Sequence, residues 1–130
     1  EMVEKVTAKR TSIWQHYAAA FKELEEKGCL KRPGMEPGAG INGHIFYVIL
    51  HGDYKRDKIS ESLGTLGVTA LSHYEPLHLS PAGRHFGRIA GELKVTENAS
   101  TRLLRLPIWP DMQHSEVEYV VDLLFSALAN

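Results

Sequence analysis

The sequence predicts an α+β fold, a small and mainly antiparallel sheet flanked by helices. Three observations predict it. Apolar residues recur at helical spacing at both ends of the chain. Between those ends stand short apolar or alternating runs of strand length. Connectors rich in proline and glycine separate the pieces. The resulting order is helix, strand, helix, strand, short helix, strand, helix, which suits a few-stranded sheet backed by helices. The chain's 130 residues are one domain's worth, long enough to bury a core.

Val3, Val6, Ile13, Trp14, Tyr17, Phe21 and Leu24 predict one long amphipathic helix ending near Gly28, with only Arg10 interrupting the apolar stripe. Pro33-Gly34 through Pro37-Gly38-Ala39-Gly40 is a turn-rich connector. "HIFYVIL", residues 44–50, is a continuous apolar run that reads as a strand covered on both faces. Ile59, Leu63 and Leu66 mark a second helix over residues 54–66, and Gly67 stands where a left-handed stop is wanted. "VTALSHY" alternates into a strand over residues 69–72. Thr96 is placed to cap a short helix through Leu103. A strand over residues 103–106 follows, ended by Pro107. Ser115 and Glu118 form a capping-box pattern before the terminal stripe of Val117, Val120, Val121, Leu124 and Leu128.

Basic and acidic side chains number 15 and 16, and neither sign runs in a block. That balance offers no electrostatic footprint for nucleic acid or an anionic membrane. A single cysteine, Cys29, suits a reducing cytoplasm, and no apolar run is long enough to span a bilayer. His73, His78 and His85 lack metal-ligand spacing and accompany no cysteine or carboxylate pair, so no metal is expected on them. Their other reading is hydrogen bonding that shapes an irregular loop. Cys29 follows a helix end, where the dipole disfavours a thiolate. The glycines of residues 38–43 precede a strand, which is not the arrangement of a phosphate cradle. Spacing alone shows no complete active site.

Taken together, "RTSIWQHY", "NGHIFYVIL", "HYEPLHLSPAGRHFG" and "VTENASTRLLRLPIW" resemble, in order and spacing, the C-terminal part of the sugar-nucleotide aminotransferases. The longer histidine-rich pattern is most similar to one branch, the dTDP-4-amino-4,6-dideoxygalactose transaminases. The resemblance covers nearly the whole chain. It implies the small C-terminal domain of a fold-type-I, pyridoxal-phosphate-dependent enzyme. The large N-terminal domain, which carries the cofactor lysine and most phosphate contacts, is then absent. The chain's opening on Glu1, inside a helix pattern, fits a fragment. Lys94 matches no cofactor lysine.

The resemblance further implies glutamate as amino donor, a dTDP-linked 4-keto-6-deoxyhexose as substrate, and a cytoplasmic homodimer serving cell-surface polysaccharide synthesis. It places His73 and Tyr74 at the cofactor and sugar pocket, His78 near its mouth, and His44 as a further candidate. Arg105 is the candidate for the donor carboxylate, because a guanidinium fork matches a carboxylate bidentately. Arg102 raises the same question, and a structural arginine is the competing reading for both. The fragment alone is expected to be inactive. The other class of function left open is a stand-alone, non-catalytic α+β module that binds a small molecule or a partner protein.

Overall fold

The computed structural model describes residues 1–35 and 38–129, so the expected turn at Pro37 lies outside the described residues. Helices α1 (Met2–Ala20) and α2 (Lys22–Glu26) lead into strands β1 (Leu30–Lys31) and β2 (Phe46–Leu50). Then come α3 (Arg56–Thr65), α4 (Pro81–Phe86), α5 (Lys94–Arg102), β3 (Leu103–Leu106) and α6 (His114–Ala129). The expected α+β architecture is the one observed. Strand β2 is central and pairs antiparallel with both neighbours: Leu30 lies opposite Leu50, Phe46 opposite Leu106, and Tyr47 opposite Arg105.

Successive strand side chains point to opposite faces, and burial follows that period. Phe46, Val48, Leu50, Leu104 and Leu106 are buried, while Tyr47, Ile49, Leu103 and Arg105 are half-buried. The expectation of full cover on both faces of β2 is therefore corrected. One face carries the main core with Tyr17 and Phe21 from the first helical segment and Val117, Val120 and Leu124 from α6. The other is only partly covered, with α5 lying against β2.

The single long N-terminal helix is broken at Phe21 (φ −84°, ψ 7°). Phe21 stays fully buried, against Tyr17, Phe46 and Phe125, with centroids 5.8–6.2 Å apart. Such aromatic burial stabilises by roughly 1.5–3 kcal/mol per side chain, which outweighs one helical residue. Helix α3 ends as expected, with Gly67 at φ +81°.

The strand expected over residues 69–72 is reduced to a bridge at Leu71, whose N–H donates to Arg105 O at 3.0 Å and whose carbonyl accepts from Arg105 N at 2.7 Å. Val68 and Ala70 are buried, so the alternation is real. The neighbouring carbonyl, Ala70 O, is taken by Ser60 Oγ of α3 at 2.6 Å. Two caps also shift. Helix α5 begins at Lys94 with Leu93 as its cap, leaving Thr96 inside the first turn. At α6 the reciprocal bond runs from Gln113 N to Glu116 Oε2 at 2.7 Å, and Ser115 is already helical. The buried stripe of α6 is the predicted one. Among the described residues, no helix is long and apolar enough to cross a membrane.

Candidate functional site

Gly43 brings the segment before β2 onto α1. Its φ is +62°, and a Cβ there would stand 2.4 Å from the carbonyl carbon of Arg10 and 2.5 Å from Thr11 N. Only glycine allows that approach. Thr11 Oγ1 donates to Ile41 O at 3.3 Å, and Trp14 Nε1 donates to Ile45 O at 3.1 Å. The clamp sets Arg10 and His44 at one cleft. Arg105 reaches the same cleft from β3, where the Leu71 bridge fixes its backbone. The cleft holds about 370 Å³ and is also lined by Thr69, Leu71 and Trp109.

Its charges are unpaired among the described residues. Arg10 Nε is the one buried side-chain polar atom among the described residues without a hydrogen-bond partner. The guanidiniums of Arg10 and Arg105 have no hydrogen-bonded or ionic partner among those residues. Three of the other arginines are occupied: Arg32 with Glu25, Arg56 with Asp57, and Arg102 with the carbonyls of Leu50 and Gly52 at 3.3 and 3.0 Å, while Arg84 and Arg88 are exposed to solvent. Arg102 is thus a structural arginine. Buried polar groups are normally satisfied, and two guanidiniums beside one cleft repel each other unless an anion lies between them. The arrangement suits a carboxylate or a phosphate. Sequence reasoning missed Arg10. Its signal was the lone charge in an otherwise apolar helical stripe.

A larger apolar hollow of about 520 Å³ adjoins this cleft, sharing Thr69, Pro107 and Trp109 with it. Tyr17 anchors the wall between core and cleft: its hydroxyl donates to Pro107 O at 3.0 Å. Burial pushes that phenol well above its ordinary value, so it stays a neutral donor.

His73 and Tyr74 lie elsewhere, on a hollow of about 410 Å³ completed by Val95, Thr96, Ala99 and Leu103. Tyr74 is the only non-glycine described residue with positive φ (+61°), and it is 74% exposed. Its ring leans on His73, with centroids 4.8 Å apart. His78 meets neither hollow; its Nε2 lies 3.1 Å from Glu97 Oε1, tying the loop to α5. The five expected site residues thus fall into three places, with His44 and Arg105 together, His73 and Tyr74 together, and His78 in the loop against α5. His85 is exposed and packs edge-on against Phe86. Every lysine is exposed, and Lys94 pairs with Glu92 at 2.7 Å. These residues do not fit the covalent anchor of pyridoxal phosphate.

The sequence profile of the DegT/DnrJ/EryC1/StrS aminotransferase family matches residues 1–125. The chain is 32% identical over 115 residues to the erythromycin biosynthesis sensory transduction protein EryC1 of Saccharopolyspora erythraea, covering 88% of this chain and 30% of that one. It is 33% identical over 115 residues to the dTDP-3-amino-3,4,6-trideoxy-alpha-D-glucose transaminase of Streptomyces venezuelae, covering 88% and 29%. A third relative is the dTDP-4-dehydro-2,3,6-trideoxy-D-glucose 4-aminotransferase of Saccharopolyspora spinosa, 29% identical over 90 residues, covering 69% and 22%. Among solved structures, the aminotransferase TlmJ from Streptoalloteichus hindustanus superposes with a TM-score of 0.82 at 25% identity, covering 98% of this chain and 33% of that one. The aminotransferase from Psychrobacter cryohalolentis does so with 0.83 at 24%, covering 98% and 36%, a likeness of fold. The chain spans about a third of the length of these structures, and about a fifth to a third of the curated relatives. By its sequence and fold, the chain belongs to the DegT/DnrJ/EryC1/StrS aminotransferase family.

Proposed function

We propose that the chain is the C-terminal small domain of a longer sugar-nucleotide aminotransferase, and that the cleft of Arg10, His44 and Arg105 receives the carboxylate of the amino donor, glutamate. The observation that carries this reading is the pair of guanidiniums on one cleft that have no partner among the described residues, Arg10 with a buried orphan Nε. The hollow of His73 and Tyr74 then meets the second substrate, a dTDP-linked 4-keto-6-deoxyhexose. His73 and Tyr74 supply an imidazole and a phenol able to bond sugar oxygens. Relatives named as dTDP-sugar transaminases support that substrate class. Pyridoxal phosphate supplies the chemistry of amino transfer when bound; the residues here bind and orient.

Exposed apolar side chains support membership in something larger. Leu77, Phe86 and Val95 are 84–85% exposed around the histidine-rich segment, and such surface ordinarily finds cover. In this reading the large domain and a second copy of the enzyme cover it, in the cytoplasm. A second reading, a stand-alone module binding a small anion without catalysis, is favoured by the exposure of every lysine.

The test is borohydride reduction of the full-length gene product with pyridoxal phosphate, followed by peptide mapping. The expected result is cofactor fixed on a lysine outside these 130 residues, with none fixed on the 130-residue chain alone. Cofactor fixed on one of this chain's own lysines overturns the assignment. A gene product that comprises these 130 residues alone favours the stand-alone module.

A further inference from the structure

The outer face of the α1 and α6 pair carries a cluster that the proposed function does not use. His16 projects from α1, while His114 and Glu118 stand one turn apart at the start of α6. Their donor atoms all lie within 4.8 Å of one another. Glu118 Oε1 contacts His16 Nε2 directly and lies 3.8 Å from His114 Nε2. The two imidazoles meet edge to face, with centroids 4.8 Å apart. Among the described residues, no other group of histidine, cysteine and carboxylate donors converges this closely.

We propose that His16, His114 and Glu118 form a site for a divalent transition metal of the zinc class, which clips the first helix to the last. Helical residues four apart share a face, so one backbone element presents two donors together. The third comes from a helix held in register by the core between them, through Tyr17, Val117 and Val121. Two imidazole nitrogens and one carboxylate suit zinc-class ions, whereas calcium and magnesium prefer all-oxygen sets. Ligand bonds of roughly 2.0–2.2 Å place tetrahedral neighbours a little over 3 Å apart. The His16 contact with Glu118 therefore opens slightly and His114 swings inward, by side-chain rotation alone. The side chains are 31%, 76% and 45% exposed for His16, His114 and Glu118, so solvent reaches a fourth position.

The test is titration of the untagged chain with Co²⁺, read by the visible absorption of a tetrahedral ion, and with Zn²⁺, read by the melting midpoint. One Co²⁺ per chain and a midpoint raised by Zn²⁺ are expected. His114→Ala, at the most exposed of the three positions, should fold like the parent and weaken Co²⁺ binding by more than about tenfold, a loss seen even for outer-shell partners. Glu118→Gln should do the same, and His85→Ala should leave the band unchanged. No stoichiometric band in the parent, or a band surviving both His16→Ala and His114→Ala, leaves an ordinary histidine–glutamate pair and overturns the site.

Discussion

Arg10 and Arg105 are charged groups without partners among the described residues, and that condition has a measurable cost. Replacing Arg10 by Leu removes an orphaned buried donor and a like-charge repulsion, so the ligand-free chain should gain about 1 kcal/mol of stability. Urea unfolding would show it as a raised midpoint with an unchanged slope. A structural arginine would give the opposite sign. Tyr17 is the contrasting case, because its bond to Pro107 O is made and buried. Tyr17→Phe should cost about 1–2 kcal/mol by stranding that carbonyl, measured in the same way.

One element-scale device holds a wall of the cleft, and another ties the edge of the sheet to α2. The contact of the Gly43 segment with α1 is intolerant: Gly43→Ala would force a Cβ into the Arg10 backbone while keeping a positive φ. A loss of about 2–4 kcal/mol is expected, from strained φ plus overpacking. The second device joins α2 to the residue after β1. Arg32 N and Nε donate to the two carboxylate oxygens of Glu25 at 2.9 and 2.7 Å. Partial burial pushes the Glu25 carboxyl up, but the Arg32 bonds and charge outweigh it and hold the group below its ordinary 4.5. A depressed carboxyl adds stability above its unfolded pKa and loses it as pH falls through the folded one. The parent's unfolding midpoint should therefore fall faster than that of Glu25→Gln as pH drops below about 4.5; parallel curves would contradict the clamp.

Elements were legible in the sequence where periodicity and burial agree. The stripe of α6 and the bounds of β3 are as read, because Val117 to Leu128 and Leu103 to Leu106 follow one period without interruption. The strand over residues 69–72 was not, because the next ladder position beyond the Leu71–Arg105 pair sets Thr69 opposite Pro107, which has no N–H to donate. Helix α4 was hidden in the histidine-rich segment, although Ser80 caps it, accepting from Gly83 N at 3.0 Å, with Pro81 at its first turn. The short β1 carried too few residues for any pattern.

For the whole molecule, sequence resemblance identified the family, while tertiary contact brought the members of the candidate cleft together. Arg10 and Arg105 stand 95 positions apart in the chain, and nothing local reveals that Gly43 and Leu71 deliver both to one cleft. His78 was legible as a candidate, but its partner Glu97 was not. The central claim is that this cleft takes the donor's carboxylate, and Arg105→Lys in the full-length enzyme tests it most directly. Single-turnover absorbance of the cofactor follows the glutamate and nucleotide-sugar half-reactions separately. Lysine keeps the charge and loses the two-pronged bond. The glutamate half-reaction should weaken by about 1–3 kcal/mol with the sugar half-reaction nearly unchanged, whereas His73→Ala should impair the sugar half-reaction as well. An untouched glutamate half-reaction in Arg105→Lys, or equal loss in both halves, would contradict the account.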